Sequence, residues 1–267
     1  EGRPGELDPK GYHHPEIYFA LGNAYLMQAN PVAAAAAYEK ALGRDPDHVY
    51  AWLNLAKARY EQERFAEAGC CFARAYECVG GKQSRYLYNS AAAYLMGDEP
   101  REALRRFEEL FAAHPGELKL EWRAAYVHAL LAVDQARKAL PHIRELARAY
   151  EGAKKSQWQE ILLAQYMQLE MGAEALAYAT DLTRTAPENP KWWKALAHIQ
   201  LEAGQPVEAL ASLTIYGFLV PLTAKEKQLL ADLHLQLGIP VMEEQCYVAV
   251  RSEERRVGKE CRSRWSP

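Results

Sequence analysis

A unit of about 34 residues recurs along the chain, and this repetition limits the possible folds more than any other feature. Residues 15–48 align with residues 49–82 at an offset of 34. Large and small residues recur together, as in the pairs Tyr18 and Trp52, Leu21 and Leu55, Gly22 and Ala56, Tyr38 and Phe72. Repetition of this kind favours a stack of similar units over one irregular core.

The repeat continues along the chain, and its length varies by only one or two residues. A small residue marks the second half of each unit, with spacings of 34 to 36 residues: Ala34, Ala68, Ala103, Ala139, Ala175 and Ala209. A proline or glycine ends several units, and a seventh unit opens at Thr223. Thr223 and Glu226 have the spacing of a helix-capping box, in which each residue hydrogen-bonds the other's backbone.

Each unit has the pattern of two short amphipathic helices. In the first unit, the apolar residues Tyr18, Leu21 and Tyr25 follow helical spacing and not strict alternation. The small residues have a physical reason, because a bulky side chain would clash where two helices cross closely. The sequence therefore predicts an all-α fold in which neighbouring helix pairs stack to cover their apolar faces.

The segments "LGNAY" and "AAAAAYEKALGRDP" resemble the consensus of the tetratricopeptide repeat (TPR), and the resemblance covers residues 15–250. It implies a right-handed superhelical solenoid of antiparallel helix pairs, with six full repeats and a truncated seventh. Residues 1–14 would form a flexible N-terminal segment. Three positions depart from the family pattern: Arg59, Ser90 and Arg123 stand where large apolar residues are usual.

The resemblance also implies a function. In this family, the first helices line a concave surface that binds a protein or peptide, so we expect an adaptor or scaffold. The family positions that contact ligand correspond here to Phe19, Asn23, Tyr50, Asn54, Lys57, Tyr60, Arg85 and Tyr88. A carboxylate clamp of the kind found in some relatives is disfavoured, because Phe19 and Asn89 stand where the clamp needs basic residues.

No pattern in the chain predicts catalysis, a metal or a cofactor. Eight histidines are present, but none has metal-ligand spacing with another histidine or a cysteine. Cys71 and Cys78 would lie about 10.5 Å apart along one helix, which is too far for a disulfide. We therefore expect a protein that is not an enzyme.

The C-terminal stretch "RSEERRVGKECRSRWSP", residues 251–267, differs from the rest of the chain. It carries six basic and three acidic residues, and helical periodicity stops at Val250. Residue for residue, it is the translation of a DNA string that resembles a sequencing-library adapter, so we interpret it as a non-native tail. Removing its +3 from the total of −3 leaves −6 for residues 1–250. An acidic chain of this kind predicts no nucleic-acid partner.

Two narrower roles stay open from the sequence. Residues 188–240 resemble a TPR component encoded with bacterial TonB-type energy-transduction systems, which would imply an accessory protein of the bacterial envelope or periplasm. Alternatively, the repeats could be a regulatory or recruiting domain of a larger enzyme, because Glu1 in place of Met indicates a processed form or a fragment. No apolar run reaches the length of about eighteen residues that a membrane span needs. The pattern assigns no oligomeric state and does not separate cytoplasm from periplasm.

Overall fold

The computed structural model describes residues 14–238, and within them the chain is helical. Its helices are α1 (Pro15–Met27), α2 (Pro31–Leu42), α3 (Val49–Glu61), α4 (Phe65–Cys78), α5 (Ser84–Met96), α6 (Pro100–Ala113), α7 (Leu120–Ala132), α8 (Ala136–Ala149), α9 (Gly152–Gln168), α10 (Gly172–Thr185), α11 (Pro190–Glu202), α12 (Pro206–Leu219) and α13 (Ala224–Gln236). A short 3-10 helix at Pro115–Glu117 precedes α7. Residues 14–238 contain no β-strand, which confirms the predicted all-α fold.

These residues form two compact units, divided between Gln159 and Glu160 inside α9. In the first unit, successive helices from α1 to α8 pack against one another, and α2, for example, contacts both α1 and α3. In the second unit, α11 packs against α10 and α12, and α12 packs against α13. Within each unit, short turns join most neighbouring helices.

The small residues predicted at the helix crossings are buried. All six are 0% exposed: Ala34, Ala68, Ala103, Ala139, Ala175 and Ala209. Gly22 has the same function on α1, because a Cβ atom there would lie 2.4 Å from the ring of Tyr38. Tyr38 is itself 0% exposed, and it fills the space that the small neighbours leave. This packing explains why large and small residues keep one phase along the chain.

The turn inside each helix pair uses one backbone motif. Its central residue has φ between 53° and 70°, at Ala29, Glu63, Asp98, Asp134, Glu170 and Gly204. The following residue donates its N–H to a carbonyl five residues earlier, as from Asn30 to Tyr25 at 2.9 Å and from Gln205 to Gln200 at 2.8 Å. This is the Schellman motif, in which the last helical carbonyls find donors. At this central position, glycine, the usual residue, is present only at Gly204, so the sequence did not reveal the motif.

Residues typical of helix N-termini stand at the starts of several helices. Proline is the first residue of α1, α2, α6, α11 and α12, where its missing N–H removes no helical hydrogen bond. The predicted capping box at Thr223 and Glu226 is present at the start of α13. Cys71 and Cys78 both lie in α4 as free thiols, and burial raises the pKa of Cys71 to about 12.

Several sequence predictions fall outside the described residues. They concern residues 1–13, the continuation of the seventh unit after Gly238, and the tail at 251–267. No helix between residues 14 and 238 combines the length and the apolar character that crossing a bilayer demands.

Candidate functional site

The eight predicted ligand contacts lie on α1, α3 and α5, the first helices of the first three pairs. Their spacing places each set on one side of its helix, as with Tyr50, Asn54 and Lys57 at i, i+4 and i+7. Arg85 and Tyr88 are related in the same way on α5. We call this surface the first-helix face: Phe19, Asn23, Tyr50, Asn54, Lys57, Tyr60, Arg85 and Tyr88.

Asn23 and Asn54 connect helices to one another. Asn54 Nδ2 donates to Asn23 Oδ1 at 2.8 Å, which joins α3 to α1. The same oxygen accepts a second hydrogen bond of 2.8 Å from the hydroxyl of Tyr38 on α2. Both lone pairs of the Asn23 amide oxygen are therefore occupied within the protein.

Phe19 packs within the same corner of the structure. Its ring centroid is 5.9 Å from that of Tyr38 and 4.7 Å from that of His48. His48 caps α3, because its Nδ1 accepts the backbone N–H of Ala51 at 3.2 Å. Its Nε2 lies 3.4 Å from a carboxylate oxygen of Glu16. Phe19 is half-buried, so it contributes to the floor of the face and does not project from it.

Tyr60 and Tyr88 extend these contacts to later helices. The Tyr60 hydroxyl donates to the sulfur of Met96 at 2.7 Å, which links α3 to α5. The ring of Tyr88 stacks on Trp122 of α7, with centroids 5.0 Å apart and planes 15° apart. Burial, and less so the charge of Glu121, raises the pKa of Tyr88. Each first helix in this part of the chain is thus joined to the next through a residue of the face.

The remaining three residues point to solvent. Tyr50 is 67% exposed, and Lys57 and Arg85 are also exposed. Within residues 14–238, none of the three takes part in a hydrogen bond or an ion pair that occupies its polar end. The first-helix face therefore exposes one phenol and two cationic groups. Its other five residues are held by hydrogen bonds or ring contacts within the protein.

A cavity of about 440 Å³ lies between α2, α3 and α4, away from the predicted contacts. Arg59, one of the departures from the family pattern, lies in its wall and pairs with Glu39 on α2. Its Nε is also 3.4 Å from a carboxylate oxygen of Glu67 on α4. Arg59 replaces an apolar packing contact with ion pairs to the two neighbouring helices, an arrangement that spacing alone did not indicate.

The described residues hold no group of three or more histidine, cysteine, aspartate or glutamate side chains that could bind a metal ion. His142 on α8 lies beside an arginine of α7. Its Nδ1 lies 3.1 Å from Nη1 of Arg123. Burial and the Arg123 charge lower the pKa of His142, so it stays neutral at physiological pH.

Comparison with known proteins adds a family match for part of the chain. Residues 14–82 match the family model described as tetratricopeptide repeat. No curated protein sequence matches the chain significantly.

Solved structures share the fold at low sequence identity. "Crystal structure of YrrB: a TPR protein with an unusual peptide-binding site" is 17% identical, with a TM-score of 0.51, over 73% of this chain and 97% of that one. "Structure of Naa15/Naa10 bound to HypK-THB" is 14% identical, with a TM-score of 0.63, over 90% of this chain and 36% of that one. This protein thus spans about a third of the latter chain. The likeness shows a helical-repeat fold of the tetratricopeptide type.

Proposed function

We propose that this repeat array binds a segment of a partner protein on its first-helix face and acts as an adaptor or scaffold. Binding would need no catalytic step. The observation that carries the proposal is the exposure of Tyr50, Lys57 and Arg85 on a face whose other residues are held in place. The YrrB structure, described as that of a TPR protein with an unusual peptide-binding site, supports it through the shared fold.

The physical basis is preorganisation. Asn23, Asn54 and Tyr88 are held by hydrogen bonds and stacking, so little order would be lost in them when a ligand binds. Tyr50 offers a large amphipathic ring at low entropic cost, as tyrosines do at the centres of many interfaces. Lys57 and Arg85 add donors that can orient the backbone or the side chains of a bound segment.

A peptide library displayed on phage is a suitable probe, because no partner is identified. Peptides enriched on the full chain would be synthesised and titrated against the triple variant Tyr50→Ala, Lys57→Ala, Arg85→Ala. We expect the affinity to fall at least about tenfold, since removed interface anchors typically cost more than 1 kcal/mol each.

The matched control changes equally exposed residues elsewhere. Val32 on α2 is also 67% exposed, and Arg101 on α6 is exposed. The double variant Val32→Ala, Arg101→Ala should bind as the unchanged protein does. Enriched peptides that bind the triple variant at full strength would overturn the proposal, as would a failure to enrich any peptide.

The two narrower roles rest on the sequence alone. An accessory role in a TonB-type envelope system predicts transport genes beside the complete reading frame. A regulatory role in a larger enzyme predicts a catalytic domain, such as a transferase, fused in the same frame. The complete frame separates the two roles.

The proposed adapter origin of residues 251–267 has its own test. Resequencing the source gene should reveal different codons after about Val250. The same seventeen codons in independently cloned genomic DNA would contradict that origin.

A further inference from the structure

The outer side of α8 carries a stripe of arginines. Arg137, Pro141, Arg144 and Arg148 occupy positions i, i+4, i+7 and i+11, which lie along one side of a helix. Arg137 and Arg148 are exposed, and Arg144 is half-exposed. The opposite side of the helix is buried at Ala139, Leu140, Ile143 and Leu146. The stripe therefore faces away from the core.

The carboxylate of Glu145, on the same helix, is paired with an arginine of α7. Glu145 Oε2 pairs at 2.6 Å with Nη1 of Arg123, whose side chain rises from α7 and is 18% exposed. Within the part of the chain that the structure describes, no ion pair engages Arg137 or Arg148. The placement of Arg123 thus leaves the charge of these two arginines uncompensated.

The charge of this region contrasts with that of the rest of the chain. Residues 137–155 contain six basic and two acidic side chains, a formal charge of +4. Since residues 1–250 sum to −6, the part outside this segment carries −10. A basic region within an acidic chain attracts a short acidic ligand. A longer acidic ligand would also be repelled by the acidic parts of the chain.

A shallow cavity of about 490 Å³ accompanies the charges. Pro141 and Ala149 form its apolar surfaces, and Arg144, Glu145 and Arg148 supply the polar ones. The cavity therefore offers space for an apolar side chain beside groups that bind carboxylates.

We propose that this outer side of α8 docks a short acidic segment of a partner protein. Arginine guanidinium groups bind carboxylates through two parallel hydrogen bonds, which gives direction as well as attraction. Arg137 and Arg148 are eleven residues apart, or about 16 Å along the helix. An extended chain covers that distance in about five residues. The fitting ligand has about five residues, acidic near both ends and apolar near the middle.

A long polyanion fits less well. Nucleic acid or an anionic bilayer would extend beyond this segment, and the rest of residues 1–250 carries a formal charge of −10. The docking surface lies on α8, whereas the first-helix face lies on α1, α3 and α5. The inference therefore does not rest on the function proposed above.

Fluorescence anisotropy on the full chain would test this. The probe is a labelled peptide of five residues, four glutamates around a central leucine, at low ionic strength of about 0.05 M. The double variant Arg137→Glu, Arg148→Glu should weaken binding at least about tenfold, because it replaces attraction with repulsion at both ends. The control Lys82→Glu, Arg101→Glu changes net charge equally at exposed positions outside α8, and it should change affinity less than about twofold.

Each other outcome would overturn the proposal. Equal weakening in both variants would mean that only net charge matters. Tight binding of the matching glutamine peptide would remove the role of carboxylates. Stronger, α8-dependent binding to phosphatidylserine vesicles or to single-stranded DNA would assign the face to a different anion. Circular dichroism must show that both variants are folded, and the variant Arg137→Ala, Arg148→Ala gives the same readout without added repulsion.

Discussion

The hydroxyl of Tyr38 donates a 2.8 Å hydrogen bond to the amide oxygen of Asn23. Tyr38 is 0% exposed, and a buried hydroxyl without a partner would be costly. Because the same oxygen also accepts from Asn54, Asn23 holds three helices together. A residue that family position assigned to ligand contact therefore has a structural function as well.

Removal of the Tyr38 hydroxyl should destabilise the protein. We expect Tyr38→Phe to lower the free energy of unfolding by about 1 kcal/mol, the net value of one hydrogen bond. Urea unfolding followed by circular dichroism measures this. Tyr88→Phe is the control, because the structure shows no hydrogen bond for its hydroxyl among the described residues. Equal losses in the two variants would argue against a special function of the Tyr38–Asn23 bond.

Gly22 should tolerate no side chain. The Cβ of Gly22→Ala would lie 2.4 Å from the Tyr38 ring, and Tyr38 has no free space to move into. We expect a loss of about 1–3 kcal/mol, typical of overpacking. At Gly43, the nearest atom to an added Cβ is 3.4 Å away, and φ is −66°. Gly43→Ala should therefore cost little, and a similar loss there would undermine the packing explanation.

The effect of a substitution at Gly204 should come from backbone conformation and not from lack of space for a side chain. Its φ is 70°, and an added Cβ would meet no atom within 4 Å. Gly204→Ala should cost about 1 kcal/mol, since an L-residue is strained in the left-handed region. Gly172 has equally open space without a positive φ, so Gly172→Ala should cause no loss. Thermal unfolding would distinguish the two, and a neutral Gly204→Ala would contradict the expectation.

Stability should fall in acid through Glu226. Burial tends to raise the pKa of Glu226, but hydrogen bonds from Lys194 and Thr223 outweigh it and lower this pKa to about 2. Lys194 Nζ lies 2.7 Å from the carboxylate, and the Thr223 N–H donates to it at 2.8 Å. Because the folded-state pKa is below the ordinary value of 4.5, the ionised group stabilises the fold fully above about pH 4.5. That contribution is lost as the pH falls towards 2.

Comparison with Glu226→Gln isolates this contribution. The unchanged protein should be more stable than the variant at pH 7, and the difference should shrink between about pH 4.5 and pH 2. Glu208→Gln, at an exposed position on α12, should show no comparable pH dependence. A difference between wild type and Glu226→Gln that stays constant from pH 7 to pH 2 would contradict the expectation.

The sequence by itself determined which residues are buried at the helix crossings. Ala34, Ala103 and Ala175 were predicted from spacing alone, and each is 0% exposed. Periodicity predicts burial because a helix turns by a constant angle per residue, so equal spacing places residues on the same side. The capping box at Thr223 was predictable for a related reason, since its partners are three residues apart.

Only the tertiary structure decided which side chains meet. Asn23 and Asn54 are 31 residues apart, and Arg123 reaches Glu145 from another helix. Such pairs depend on how the helices pack, which spacing within one helix does not specify. The left-handed turns at Glu63 and Asp98 were also invisible, because neither has the glycine that usually marks them. The helices and their buried sides follow from local periodicity. That Tyr50, Lys57 and Arg85 are the exposed residues of the first-helix face follows only from the tertiary structure, because there the other five residues of the face contact neighbouring helices.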